Sequence, residues 1–123
     1  MATVEIDGDG IRFVDTTAGR PVWGPSLVKS VTCVEYAVNK STLASGGTLT
    51  VAFGAVAAGK VLAIKVSAGP ATVAATVNAV ALGNCRCNDL FLLVDTGGGI
   101  TACTVSQTTG SDITVETFVA GST

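Results

Sequence analysis

Period-two alternation of apolar and polar positions recurs along the chain, and no stretch sustains a helical period. In "KVLAIKV" (60–66), Leu62, Ile64 and Val66 share one face. In "ATVAATVN" (71–78), Val73, Ala75 and Val77 do the same, and "DITVETFVA" (112–120) sets Ile113, Val115 and Val119 opposite Thr114, Glu116 and Phe118. Further strands are predicted over 3–6, 11–15, 28–38, 48–53, 90–94 and 101–106. Turn chemistry separates them: Asp7-Gly8-Asp9-Gly10, Ser45-Gly46-Gly47, Ala68-Gly69-Pro70, Asp95 to Gly99, and Thr109 to Asp112. Alanine in 71–82 would suit a helix, but the Thr and Val content sets it as strand. The expected fold is all-β, a single β-sandwich or jelly-roll-like domain of about eight or nine short strands.

One segment lacks the alternation. "TTAGRPVWGPSL" (16–27) places the sole tryptophan, Trp23, between Pro21 and Pro25. Proline cannot serve a central strand, so this stretch is expected as an extended arm or crossing loop. The chain accordingly divides into N-terminal strands and arm (1–27) and a sandwich domain (28–123). Arg20, Pro21, Val22, Trp23 and Pro25 are the candidate interface, with Trp23 as an aromatic anchor in a neighbour's pocket. The competing assignment is that Trp23 caps the protein's own core.

The 123 residues suffice to bury roughly two thirds of the unfolded surface without a metal or disulfide. Charged residues make up 13% of the chain, against roughly 25% in ordinary soluble domains. Ala, Gly, Thr and Val supply more than half of it, which fits neutral β surfaces able to abut other copies or partners. Seven basic residues, spread singly, give no cluster able to displace counterions from phosphates, so no nucleic-acid partner is expected. No basic segment followed by an apolar core opens the chain, so no secretory signal is expected. The uncharged runs 41–59 and 66–85 approach the length of a membrane span, yet Gly-Gly, Gly-Pro, Asn78 and repeated Thr interrupt them, and no membrane association is expected.

Three motifs imitate catalytic or ligand chemistry. "VDTGGGI" (94–100) carries the Asp-Thr-Gly of the aspartic proteases, with "VAG" (119–121) loosely similar to that family's later apolar pair before glycine. Only 26 residues follow Gly97, too few for the flap and helix that follow in that family, so Asp95 is expected to open a glycine-rich turn. "GAVAAGKV" (54–61) has phosphate-loop spacing, but Val61 stands where a hydroxyl must meet magnesium, and a β pattern follows in place of a helix. "DGDG" (7–10) suggests calcium through Asp7, Asp9 and Asp15, though Ile11 follows where further oxygen ligands belong, and a tight turn is the better account.

Cys33, Cys85, Cys87 and Cys103 do not match the paired spacing of a zinc site, and the chain has no histidine. Buried free thiols are expected, with no metal and no cofactor. Absence of histidine also removes Ser-His and Cys-His catalysis. A lysine or carboxylate base stays conceivable, but no constellation points to one, and a non-enzymatic role is expected.

The segment "LFLLVDTGGGITACTVSQTTGSDITVETFVAGS" (90–122) resembles the closing strands of small all-β virion proteins of tailed bacteriophages. There an apolar strand, a glycine turn, an "IT-x-x-TV" strand and a final Thr-Val-Glu strand recur. The resemblance implies a structural protein of the virion, assembled in the host cytoplasm, first of all a capsid decoration or cement protein. It implies a homo-oligomer, a trimer above others, in contact with the major capsid protein or other virion proteins. Two alternatives are a tail or fibre module binding the host through loops 39–47 and 106–112, and a dimeric aspartic-protease-like enzyme.

Overall fold

The computed structural model describes the backbone of residues 2–6, 13–15, 20–23 and 29–123, and side chains from 31 onward. Among these residues twelve strands follow one another: β1 (Ala2–Ile6), β2 (Phe13–Asp15), β3 (Arg20–Trp23), β4 (Lys29–Cys33), β5 (Glu35–Leu43), β6 (Thr48–Thr50), β7 (Ala58–Ser67), β8 (Ala71–Val77), β9 (Val80–Cys87), β10 (Leu90–Val94), β11 (Ile100–Ser106) and β12 (Ile113–Ser122). No helix occurs among the described residues. Eight of these strands form an antiparallel β-sandwich. The first layer runs β5-β12-β7-β10 and the second β6-β11-β8-β9.

A single pair, Ile100 with Gly59, joins the two layers at β11 and β7. A Cβ at Gly59 would lie 2.7 Å from the carbonyl oxygen of Ile100, so only glycine lets the backbones approach there. Elsewhere the layers meet through side chains. Leu62, Ile64 and Val66 of β7 and Ile113, Val115 and Val119 of β12 face Val73 and Ala75 of β8 and Ile100, Cys103 and Val105 of β11, all buried. These are the faces that the period-two pattern marks. Each strand turns alternate side chains inward, and burial of a Val, Leu or Ile stabilises by about 1.5–3 kcal/mol.

The segment 71–82 is a hairpin, with β8 and β9 joined at Asn78 and Ala79, whose φ angles are +51° and +63°. Two successive left-handed residues make the turn that matches strand twist, but glycine is its usual signal, and none stands at either position. Strand β9 itself was not expected. It lies at a margin of the second layer, where "VALGNCRC" has no inner and outer side to alternate between except at Cys85 and Cys87. The single strand expected over 28–38 is two, bent at Val34, with β4 leaving the sandwich to pair with β1. That pairing spans the expected boundary at residue 27.

Arg20 to Trp23, expected in an arm, form β3 and pair with β2, Trp23 opposite Phe13 and Pro21 opposite Val14. Among the described residues β3 pairs with β2 alone, so the missing N–H of Pro21 breaks no central ladder there. Pro25 lies outside the described residues, as do Asp7 and Asp9.

Candidate functional site

The outward positions of the first layer stack in register across all four strands. One row is Tyr36, Ala120, Val61 and Val94; the next is Val38, Phe118, Ala63 and Leu92; the third is Lys40, Glu116, Lys65 and Leu90. Two rows are thus wholly apolar on the side turned away from the core. Strand β4 covers part of the first row, where Val31 and Cys33 are buried against Val61 and Ala120, with Phe118 partly buried beside them. Lys60 ties the same strand down by donating from Nζ to the carbonyl of Thr32 at 2.9 Å.

The remainder is open. Tyr36, Val38 and Leu90 are 63%, 64% and 62% exposed, and Leu92 is exposed as well. Between them Val38, Ala63, Leu90 and Phe118 line a hollow of about 310 Å³, edged by Lys40, Lys65 and Glu116. The Tyr36 and Phe118 rings stack with centroids 6.4 Å apart, which fixes the side wall. Lys40 and Glu116 form an ion pair at 3.7 Å, leaving Lys65 to set the local charge of the rim. A contiguous apolar patch with a polar rim is the usual form of a protein contact surface, since single exposed apolar residues are common but clusters are not.

Asp95 ends β10 and opens the turn that carries the chain into the second layer. Its Oδ1 accepts from the Gly97 amide and its Oδ2 from the Gly99 amide, both at 3.0 Å, and its own amide donates to the Lys60 carbonyl at 2.8 Å. Both carboxylate oxygens therefore hold backbone, as the turn reading expects. In one respect the turn differs from a hairpin: β10 pairs with β7 and β11 with β8, so it crosses between layers. The phosphate-loop imitation, 54–61, runs directly into β7, with a strand where phosphate binding needs the first turn of a helix.

Cys33, Cys87 and Cys103 are buried free thiols, and Cys85 is half-buried. Burial pushes the Cys103 thiol up to about 11 and raises that of Cys87. A thiol so held stays protonated and unreactive at neutral pH. Among the described residues no three His, Cys, Asp or Glu side chains converge on a metal position.

The two loops named as a host-binding surface do meet, although Asn39 to Leu43 belong to β5 and only 44–47 turn. Buried Gln107 joins them: Nε2 donates to the carbonyls of Leu43 (3.0 Å) and Ser111 (2.9 Å), and Oε1 accepts from the Thr109 amide (2.8 Å). Ser45 adds a bond to the Thr109 carbonyl at 2.6 Å. A hollow of about 200 Å³ lies alongside, between Thr72, Arg86 and Gln107.

Sequence reasoning missed the outer face of the first layer. One signal was present. "LFLLV" (90–94) is apolar at every position, a pattern that belongs to a strand covered on both sides.

The sequence matches no protein-family model and none of the curated proteins. Among solved structures, the crystal structure of Yersinia pseudotuberculosis-derived mitogen is similar with a TM-score of 0.49 and 10% identity, over 71% of this chain and 86% of that chain. A likeness of that degree carries no argument about this protein's role.

Proposed function

We propose that this protein is a structural component of a phage virion, a decoration or cement protein that strengthens the head by joining neighbouring capsid subunits. The observation that carries this reading is the outer face of the first layer, with Tyr36, Val38, Leu90 and Leu92 exposed beside Phe118. The part of this face that β4 covers adds to the chain's own burial, but the part left open, Tyr36, Val38, Leu90 and Leu92, adds nothing to it. Such a surface becomes useful when a neighbour covers it, and each Leu or Val buried there contributes about 1.5–3 kcal/mol before ordering costs. The scarcity of charge fits the same use, because abutting surfaces then need few ion pairs desolvated. Arg20 to Trp23 on β3 are a second contact in this proposal, and the assembly sits in the virion with the major capsid protein as its partner.

Attachment to purified heads measures this directly. Leu90→Asp with Leu92→Asp should weaken binding about 100-fold or more, the equivalent of two lost side-chain burials, while the circular dichroism spectrum is retained. Undiminished attachment of that variant would overturn the reading.

A second reading, a host-binding module of tail or fibre, draws on the loops that Gln107 joins at the end of the sandwich. Copy number in the purified particle separates the two: hundreds of chains per particle support the shell, a handful the tail.

A further inference from the structure

Strand β5 stands at the margin of the first layer. Its pairing with β12 runs from Glu35 opposite Gly121 to Leu43 opposite Ile113, and no strand occupies its other edge among the described residues. The strand is nine residues long, or roughly 30 Å, and contains neither proline, glycine nor a bulge against β12. Sheet margins are ordinarily blunted by proline, bulges or charge, because a row of unpaired N–H and C=O groups is a template for another chain; of these β5 has only Glu35 and Lys40, the latter ion-paired with Glu116 on the neighbouring strand. Here the margin also bears the two most exposed large apolar side chains of the described surface, Tyr36 and Val38. The unpaired backbone and the apolar rows are therefore one continuous surface.

We propose that this edge pairs with the same edge of a second copy of the chain, antiparallel about a two-fold axis through Val38. The two first layers then become one eight-stranded sheet, and their apolar rows a single face of twice the width. The sequence of the strand is self-complementary in this register. Outward-facing Val38 meets the second copy's Val38, and Tyr36 lies opposite its Lys40, where ammonium and ring attract each other. Glu35 lies opposite Ser41 and Ala37 opposite Asn39, so no like charges face one another. Sliding by one pleat toward Leu43 sets Val38 against Lys40, and a further pleat sets Lys40 against itself; the lysine thus acts against the wrong registers. A two-fold contact of this kind closes on itself and leaves the edge protected.

The proposal deepens the assembly reading, but it is tested on the isolated chain. Light scattering over about 1–100 µM should give twice the 12.2 kDa chain mass, and Val38→Lys, at an exposed site, should raise the dissociation constant at least tenfold. Oxidation supplies the register. Val38→Cys should give a disulfide-linked dimer on a non-reducing gel well above the wild-type background. Tyr36→Cys should not, because the two-fold separates that position from its own copy by about 13 Å, beyond disulfide reach. A monomer throughout, a trimer, or equal cross-linking of the two variants would overturn the proposal. If the monomeric outcome accompanied loss of head attachment by Leu90→Asp with Leu92→Asp, the two-fold would fall and the assembly reading would stand.

Discussion

The two layers of the sandwich share one core and differ on their outer sides. Outside the first layer lie Tyr36, Val38, Phe118, Ala63 and Leu92. Outside the second the corresponding rows are Thr50, Thr104, Ala74 and Asn84, then Thr48, Ser106, Thr72 and Arg86. Both strand sets alternate in and out, and both turn Val, Ile or Leu inward, so folding constrains them alike. Along these two rows the second layer carries mostly groups that water can satisfy, its exposed large apolar side chains, Val80 and Leu82, lying instead at the hairpin end of β9. Two of the first layer's three rows carry side chains that water does not satisfy, and charge returns only in the third, at Lys40, Glu116 and Lys65. The difference teaches that the two parities of a strand carry separate information: the inner parity specifies the sandwich, while the outer parity of the first layer is used by the chain itself only where β4 covers Val61 and Ala120, and is open elsewhere.

If the outer rows were a second core, truncation there would cost as much as truncation inside. Ile64→Ala should lose about 2–5 kcal/mol in urea unfolding, whereas Leu90→Ser should change stability by less than about 1 kcal/mol; equal losses would break the comparison. The shared core can be probed from the second layer through pH. Cys103 titrates near 11 in the folded protein against 9.0 for the ordinary thiol, through burial. Both states hold the proton below pH 9, and above it the unfolded chain releases its proton first. Stability should therefore fall between about pH 9 and 11, by at most on the order of 2–3 kcal/mol. Cys103→Ala should remove most of that alkaline loss; Cys87 contributes in the same sense. The smallest effect on stability is expected from exchanging the outer characters. Leu92→Thr with Thr50→Leu should leave the unfolding midpoint nearly unchanged, within about 0.5 kcal/mol, while fluorescence of a hydrophobic dye at the first face falls. Dye binding that ignores the exchange would show that these rows are not its site.

Much of this was legible from patterning. The inward sets Leu62, Ile64, Val66 and Ile113, Val115, Val119 follow from period two, as does the all-β class. Asp95 as a turn residue follows from the three glycines after it. The break at Val34, the turn at Asn78 and Ala79, and strand β9 were not legible, for a common reason. Each departs from the local signal: no glycine or proline marks the bend or the turn, and a marginal strand has no buried side along most of its length to impose alternation. Pro21 excludes only a central strand, and β3, paired with β2 alone among the described residues, agrees with that; what the local signal did not show is that 20–23 pairs at all. The candidate face escaped notice because "LFLLV" and "YAVNK" lie 50 residues apart in sequence and become neighbours only through β12 and β7.

By itself the sequence determined which side chains go inside, because alternation and the cost of leaving Val, Ile and Leu in water act strand by strand, without reference to partners. Tertiary structure decided which strands stand side by side, and hence that scattered outward residues form one apolar surface ending at an edge unpaired among the described residues. Adjacency within a sheet is set by long-range pairing. No residue records it locally, since every extended segment offers the same backbone groups to any neighbour.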